Sequence, residues 1–168
     1  DPFVIQGSSS NKVVSMDFSS DGKYLAVGDE NWNIRIYNTD NWVEINSLRA
    51  NKAKIMEVKF SPNSSYLASI GYDGKVLMWE MADLNNSPII MDDNGGYGFA
   101  VGFCGSENMI VSGSTKSPRL IARPVRSNLL IDDFCSMISR NFTSAEWEVY
   151  VGPDIPYVET CSILVTEN

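Results

Sequence analysis

Short apolar runs separated by turn residues recur along this chain. Between Ile55 and Trp79, the runs Ile55–Phe60, Tyr66–Ile70 and Val76–Trp79 are divided by Ser61-Pro62-Asn63-Ser64 and by Gly71-Tyr72-Asp73-Gly74. The runs are too short for helices, and Asp-Gly between two of them is a hairpin signal, so the pattern predicts strand, turn, strand, turn, strand. Upstream the order is the same: Val13–Phe18, the turn Ser19-Ser20-Asp21-Gly22, Tyr24–Gly28, the turn Asn31-Trp32-Asn33, Ile34–Tyr37, and a fourth strand over Trp42–Leu48. Downstream it is fainter: after an outer strand at Ser87–Met91 come Phe99–Phe103, Met109–Ser112 and Arg119–Ala122, with Pro124 ending the last. Phe18 recurs as Phe60 and Phe103, Tyr37 as Trp79, Asp21-Gly22 as Asn63-Ser64, and Asn31 as Asp73. A period of roughly 40–45 residues with four strands per unit predicts β-propeller blades, whose radial stacking buries both faces of each sheet.

After Arg126 the period changes. Leu129, Leu130, Phe134, Met137 and Ile138 fall at helical spacing, and Ser127 or Asn128 can cap that helix. Thr143-Ser144-Ala145-Glu146 is a capping box that opens a second short helix, with Trp147 and Tyr150 as its apolar face and Gly152-Pro153 as its stop. Loss of such a cap costs ~1 kcal/mol. The expected fold is therefore all-β: a partial β-propeller of about three four-stranded blades plus a short α-helical C-terminal tail. Residues 1–126 form the propeller part, with 1–6 as the outer strand of a preceding blade and 13–48, 55–91 and 99–123 as blades. Residues 127–168 form the tail, expected to pack on the propeller and dock through Ile155-Pro156-Tyr157.

Composition narrows the chemistry. At 168 residues, 43% apolar and 20% charged, the chain can bury a sizeable core. A formal charge of −8 disfavours nucleic acid and anionic membrane surfaces as partners, and no apolar run reaches the length of a membrane-spanning helix. There is no histidine, which excludes Ser-His-Asp and Cys-His catalysis and any His-containing zinc site within the chain. Cys104, Cys135 and Cys161 lack a Cys-x-x-Cys spacing and are expected to be reduced thiols in a cytoplasmic protein; a Cys135–Cys161 disulfide stapling the C-terminal segment is the alternative. The chain starts Asp-Pro-Phe, so it is expected to begin inside a larger protein.

The motifs carry a resemblance. Phe60-Ser61-Pro62-Asn63-Ser64 and Leu67-Ala68-Ser69-Ile70-Gly71-Tyr72-Asp73-Gly74-Lys75-Val76-Leu77-Met78-Trp79-Glu80 resemble the turn and the strand pair of WD-repeat β-propeller units, as do Phe18–Gly22 and Ile34–Asn38. The family's buried tetrad joins Asp, Ser, Trp and His; Asp73, Ser69 and Trp79 match three positions as a structural network, and the missing histidine rules out the full tetrad. The run Arg140-Asn141-Phe142-Thr143, Glu146-Trp147, Tyr150-Val151-Gly152, Pro156-Tyr157 and Thr160-Cys161 resembles the segment that closes many bacterial WD-repeat proteins carrying STAND-type NTPase or caspase-like modules. That resemblance implies a bacterial signalling or effector protein with its natural C-terminus near Asn168.

Only three inner-strand triplets are present, and propellers close with four or more blades. The expectation is that the remaining blades of the same chain, or a second copy exchanging residues 3–6, complete the ring. WD-repeat propellers bind proteins or peptides on the face formed by blade-opening loops and inner-hairpin turns, which places Lys12, Val14, Glu30 and Trp32, then Lys54, Met56 and Tyr72, then Tyr97, Phe99 and Thr115 there. Candidate partner-binding residues are Trp32, Tyr72, Tyr97, Lys54, Lys12 and Glu30. Trp32, at the position of Gly74, is read either as a contact residue or as lying flat over the neighbouring blade; Phe99 and Met56 are expected to face the core. No catalytic residue, metal or cofactor is expected. Asp92-Asp93 and Asp132-Asp133 are adjacent carboxylates whose side chains diverge, and Asp92–Gly96 lacks a calcium-loop pattern. The expected function is a non-catalytic protein- or peptide-binding or sensor module, the alternatives being an architectural scaffold or, less favoured, an enzyme with a site on the propeller.

Overall fold

The computed structural model describes residues 4–5, 11–49, 53–92, 95–104, 109–116, 118–125, 135, 140–150, 156–159 and 161. The strand expected over 3–6, the helix expected over 129–138 and the Gly152-Pro153 stop lie wholly or largely outside these residues. The chain forms two compact units, Asp1–Arg123 and Pro124–Asn168.

Three antiparallel sheets build the first unit. Blade one is β1 (Val13–Phe18), β2 (Tyr24–Asp29), β3 (Asn33–Asn38) and β4 (Glu44–Arg49), paired in that order. Blade two repeats the order with β5 (Ile55–Phe60), β6 (Tyr66–Gly71), β7 (Val76–Glu80) and β8 (Ile89–Met91). Blade three pairs β9 (Gly98–Cys104) with β10 (Met109–Ser114) and β10 with β11 (Leu120–Pro124), so three strands are present among the described residues. The inner strands β2, β6 and β7 are buried almost throughout, as sheets covered on both faces must be.

The first hairpin turns are copies of one another. Ser19 Oγ donates to Asp21 Oδ1 at 2.7 Å and accepts from Tyr24 N at 2.9 Å, while Lys23 N donates to Asp21 Oδ1 at 3.1 Å. In blade two, Ser61 Oγ donates to Asn63 Oδ1 at 2.9 Å and accepts from Tyr66 N at 2.9 Å, and Ser65 N donates to Asn63 Oδ1 at 2.7 Å. Both turns need a left-handed residue, which is Gly22 at φ 73° and Ser64 at φ 62°.

Two outer strands start later than expected. Trp42 sits outside β4 because it adopts a left-handed conformation, φ 58°, closing a turn in which its N–H donates to Asn38 O at 2.8 Å. Its half-buried indole packs on Leu25, Val27 and Tyr37. β8 starts at Ile89 because Pro88 has no N–H for the ladder.

Blades one and two share a core. Ala26, Ile34, Ile36 and Leu48 meet Ile55, Val58, Phe60, Leu67, Leu77 and Trp79, and full burial of each large aliphatic contributes about 1.5–3 kcal/mol. Hydrogen bonds cross the same seam. Ser15 Oγ and Asp17 Oδ2 on β1 accept the N–H groups of Val58 (3.1 Å) and Phe60 (2.8 Å) on β5. One period on, Glu57 Oε2 accepts the N–H of Val101 on β9 at 2.8 Å. Lys59 turns back to pair with Asp17 at 3.2 Å. Packing at the seams exchanges large for small: a Cβ on Gly28 would touch Ile55 at 3.0 Å, and one on Gly98 would overlap Ile70.

The second unit contains α1 (Ser144–Tyr150). Thr143 is its N-cap rather than its first helical residue: Glu146 N donates to Thr143 Oγ1 at 3.3 Å and Thr143 N donates to Glu146 Oε2 at 2.9 Å, the reciprocal pattern of a capping box. Arg140 grips both oxygens of Glu146 at 2.7 Å. Trp147 stacks edge-on against Tyr157, whose hydroxyl donates to Phe142 O at 2.9 Å. The expectation of three reduced thiols is corrected here: Cys135 and Cys161 form a disulfide with Cα atoms 5.6 Å apart, and Cys104 is a free, exposed thiol. Buried Asn141 clamps the same cysteine, donating to Cys161 O and accepting from Cys161 N, both at 2.9 Å.

Candidate peptide-binding face

One backbone hydrogen bond, repeated in each blade, ties the opening loop to the inner-hairpin turn. Glu30 N donates to Lys12 O at 3.0 Å, Tyr72 N to Lys54 O at 3.0 Å, and Thr115 N to Tyr97 O at 2.9 Å. The side chains of Lys12 and Glu30, Lys54 and Tyr72, and Tyr97 and Thr115 are therefore set side by side at the same end of three successive sheets.

What each blade does with that pair differs. In blade one, Glu30 Oε1 accepts from the Lys12 N–H at 3.3 Å, so these residues satisfy each other. In blade two, the Lys54 ammonium lies 5.9 Å from the centroid of the Tyr72 ring, a cation–π arrangement. In blade three, Tyr97 N donates to Thr115 Oγ1 at 3.2 Å. Tyr72 then bridges the seam: its ring lies 5.1 Å from that of Tyr97, tilted by 39°, and 6.1 Å from that of Phe99, edge-on. All three aromatics are exposed, Phe99 at 46%. Phe99 is thus not core-facing as expected, because it projects from the end of β9 toward Tyr72 rather than into the sheet interface. Met56 is half-buried on β5.

Beside the aromatic cluster lies a cavity of about 440 Å³ lined by Tyr72, Asp73, Asp92, Gly95, Gly96, Tyr97, Thr115 and Lys116. The Gly95-Gly96 loop crosses over the turn of blade two so closely that a Cβ on Gly74 would overlap Gly96 O. Gly74 needs its glycine for this reason as well as for its φ of 73°. Lys75 pairs with Asp92 across 2.5 Å, and the hydrogen bond to that carboxylate raises the Lys75 ammonium above its ordinary range. The cavity thus joins two phenol rings to a largely neutralised polar rim. Asp93 and Asn94 of the loosely calcium-like stretch lie outside the described residues, and no group of three or more His, Cys, Asp or Glu converges among those described.

Trp32 stands at the turn position of Gly74, with φ 71° against 73°, and its indole is 49% exposed on blade one. The Tyr72 cluster and the cavity are built without Trp32, Lys12 or Glu30. Of the tetrad-like residues, Ser69 and Trp79 are buried in β6 and β7, and half-buried Asp73 caps the turn by accepting from Lys75 N at 3.2 Å.

Blade one holds a residue that sequence reasoning passed over. Asp29 is fully buried and accepts from Asn11 Nδ2 (3.0 Å), Asn31 N (2.9 Å), Asn33 N (3.1 Å) and Asn33 Nδ2 (3.2 Å). Burial alone would push its carboxyl up, but the hydrogen bonds from Asn11, Asn33 and Asn31 outweigh it and hold the group below the usual carboxylate range. Asparagines two and four residues after an aspartate at a strand end were the available signal.

Residues 3–63 match the family described as the anaphase-promoting complex subunit 4 WD40 domain. Among curated proteins, the chain is similar to Protein HIRA of Dictyostelium discoideum, 33% identical over 87 residues, covering 45% of this chain and 8% of that protein. It is 31% identical over 81 residues to Elongator complex protein 2 of the same organism, covering 45% of this chain and 9% of the relative. It is also 35% identical over 72 residues to WD repeat-containing protein 1-B of Xenopus laevis, covering 42% of this chain and 12% of the relative. The match therefore spans a small fraction of each relative's length. Blade geometry and these matches together support a WD-repeat protein, and with it a protein-interaction module, on a partial β-propeller.

Proposed function

We propose that the chain is a non-catalytic module that binds a protein or peptide segment at the Tyr72–Tyr97–Phe99 cluster, with the adjoining cavity taking one side chain of the partner. The carrying observation is that three exposed aromatic rings converge across a blade seam beside a cavity of about 440 Å³. Exposed aromatics in such a setting are the residue types that anchor interfaces. Lys54 flanks the cluster, and Trp32, Lys12 and Glu30 extend the same face onto blade one. Ser69 and Trp79 hold the blade together, and Asp73 both caps its turn and lines the cavity.

The wider setting we propose is a bacterial signalling or effector protein, and it rests on the resemblance of the segment Arg140–Cys161. The relatives reported above are eukaryotic, and the Cys135–Cys161 disulfide weighs toward an oxidising compartment. The test is selection of peptides from a random display library on the full chain, followed by affinity measurement for Tyr72→Ala/Tyr97→Ala. Loss of an anchor pair should weaken binding at least about tenfold. Selected peptides that bind the variant as tightly as the parent would place the site elsewhere.

A further inference from the structure

Hydrogen bonding at the aromatic cluster is lopsided. Gly98 is buried where a Cβ would overlap Ile70, so β9 starts hard against blade two, and Tyr97 and Phe99 on either side of it share one side of the extended chain. Tyr72 stands against both rings, 5.1 and 6.1 Å away. Backbone groups and ring faces hold the two tyrosines: Tyr72 N donates to Lys54 O, and Tyr97 exchanges two hydrogen bonds with Thr115. These contacts leave both phenol hydroxyls to donate, together with the ammonium groups of Lys54 and exposed Lys116. The acceptors at the same place are engaged. Asp92 pairs with Lys75, Asp73 takes the Lys75 N–H, and Thr115 Oγ1 takes the Tyr97 N–H. Charge narrows the ligand further. Lys54 already holds the cation position on the Tyr72 ring and repels a second cation. Asp73 and Asp92 in the cavity wall repel a phosphate or carboxylate. The site therefore fits an uncharged ligand that covers ring faces and brings acceptors without donors.

We propose that the segment bound here contains consecutive prolines in the polyproline II conformation, an inference that rests on the peptide-binding reading of the cluster. Proline has a carbonyl and no N–H, so a proline run buries no donor that the engaged acceptors would leave unpaired. An ordinary segment brings one N–H per residue and loses affinity for each one left without a partner. The carbonyls of polyproline II make no internal hydrogen bonds and are open to the phenol and ammonium donors. The pyrrolidine ring is compact and apolar, suited to exposed ring faces, and the preformed helix lowers the ordering cost of binding. Three residues of this helix rise roughly 9 Å, so one turn spans rings set 5.1 and 6.1 Å apart.

The experiment measures fluorescence anisotropy of three fluorescein-labelled decapeptides on the full chain: a run of prolines, an alternating alanine–serine sequence and an alternating alanine–glutamate sequence. Each is repeated on Tyr72→Phe/Tyr97→Phe, which keeps the rings and removes the hydroxyls, and on Tyr72→Ala/Tyr97→Ala. Circular dichroism checks that each variant is folded. The proline peptide should bind at least about tenfold more tightly than the other two. It should lose roughly two- to tenfold per hydroxyl in the phenylalanine variant and at least about tenfold in the alanine variant. Tighter binding of either control peptide would overturn the inference. Undiminished binding of the proline peptide to the phenylalanine variant would overturn it equally, because rings alone accept any apolar segment. If the proline peptide does not bind, while library-selected peptides bind the parent and weaken on the alanine variant, the proline class falls and the peptide-binding site stands. Library-selected peptides indifferent to the alanine variant would overturn both.

Discussion

Trp32 and Gly74 share one backbone conformation, φ 71° and 73°, at the same place in successive blades. For an L-residue with a side chain, that conformation costs roughly 1–2 kcal/mol. Trp32→Gly should therefore raise stability by about 1 kcal/mol, or about 2–4 °C in melting temperature by calorimetry. A lowered melting temperature would mean that the indole contributes more packing than its 49% exposure indicates. The reverse change is not available to blade two: Gly74→Ala meets Gly96 O and should destabilise by about 2 kcal/mol or more.

The seam between blades one and two depends on Asp17. Its carboxylate holds both the Phe60 N–H and the Lys59 ammonium, and its side chain is only 24% exposed. Asp17→Ala should cost about 1–2 kcal/mol in chemical denaturation. Amide exchange at Phe60 should accelerate more than at Tyr66, whose N–H is held by Ser61 within blade two. Equal acceleration at both would argue against a seam-specific role.

Acid should loosen the second unit at its helix cap. The Arg140 guanidinium and the Thr143 N–H draw the Glu146 carboxyl from its ordinary 4.5 down to about 2. A depressed folded value means that the stabilisation is fully present above about pH 4.5 and is lost as the pH falls toward 2. A carboxyl-detected NMR titration should show Glu146 ionising well below its ordinary 4.5. Glu146→Gln should abolish the acid sensitivity of amide protection in α1, and a variant that keeps it would refute the assignment.

Cys161 is held twice, by the disulfide to Cys135 and by a reciprocal pair of hydrogen bonds with Asn141. Reduction should cost the second unit about 3 kcal/mol. Asn141→Ala, which leaves a buried N–H and C=O unpaired, should cost about 2 kcal/mol. Since both act on one residue, the combined loss should differ from the sum. Limited proteolysis of the native chain and of Asn141→Ala, each with and without reductant, measures this directly. Simple additivity would show the two clamps to be independent.

The strands were legible because apolar runs bounded by turn residues leave few alternatives: β1 and β5 fall on the residues where the pattern put them. The turn at Asn63-Ser64 was legible by its alignment with Asp21-Gly22, although neither residue is glycine. Trp42 misled because an aromatic beside a β-rich segment reads as strand, while its left-handed conformation is imposed by the Asn38–Asn41 turn. Phe99 misled for a different reason. Alternation along β9 indicates a side but not whether anything covers it, and at the loop end Phe99 meets the exposed Tyr72 ring. The aromatic cluster is a seam property: Tyr72 and Tyr97 lie on different blades, so no single repeat contains it. Asp17 and Glu57 escaped notice likewise, because on a strand of mixed burial they read as solvated charges until the neighbouring blade supplies the amides.

Gly28 facing Ile55 at one seam and Ile70 facing Gly98 at the next have a consequence for the order of the blades. By register, Gly28 corresponds to Ile70 and Ile55 to Gly98, so successive seams use the same two positions with bulk and void interchanged. A transposed arrangement would press isoleucine against isoleucine at one seam and leave an empty space at another. The near-identical repeats are therefore keyed: steric parity along the inner strands distinguishes neighbours that hydrophobicity alone would treat as interchangeable, and it protects a growing propeller from assembling its blades out of sequence.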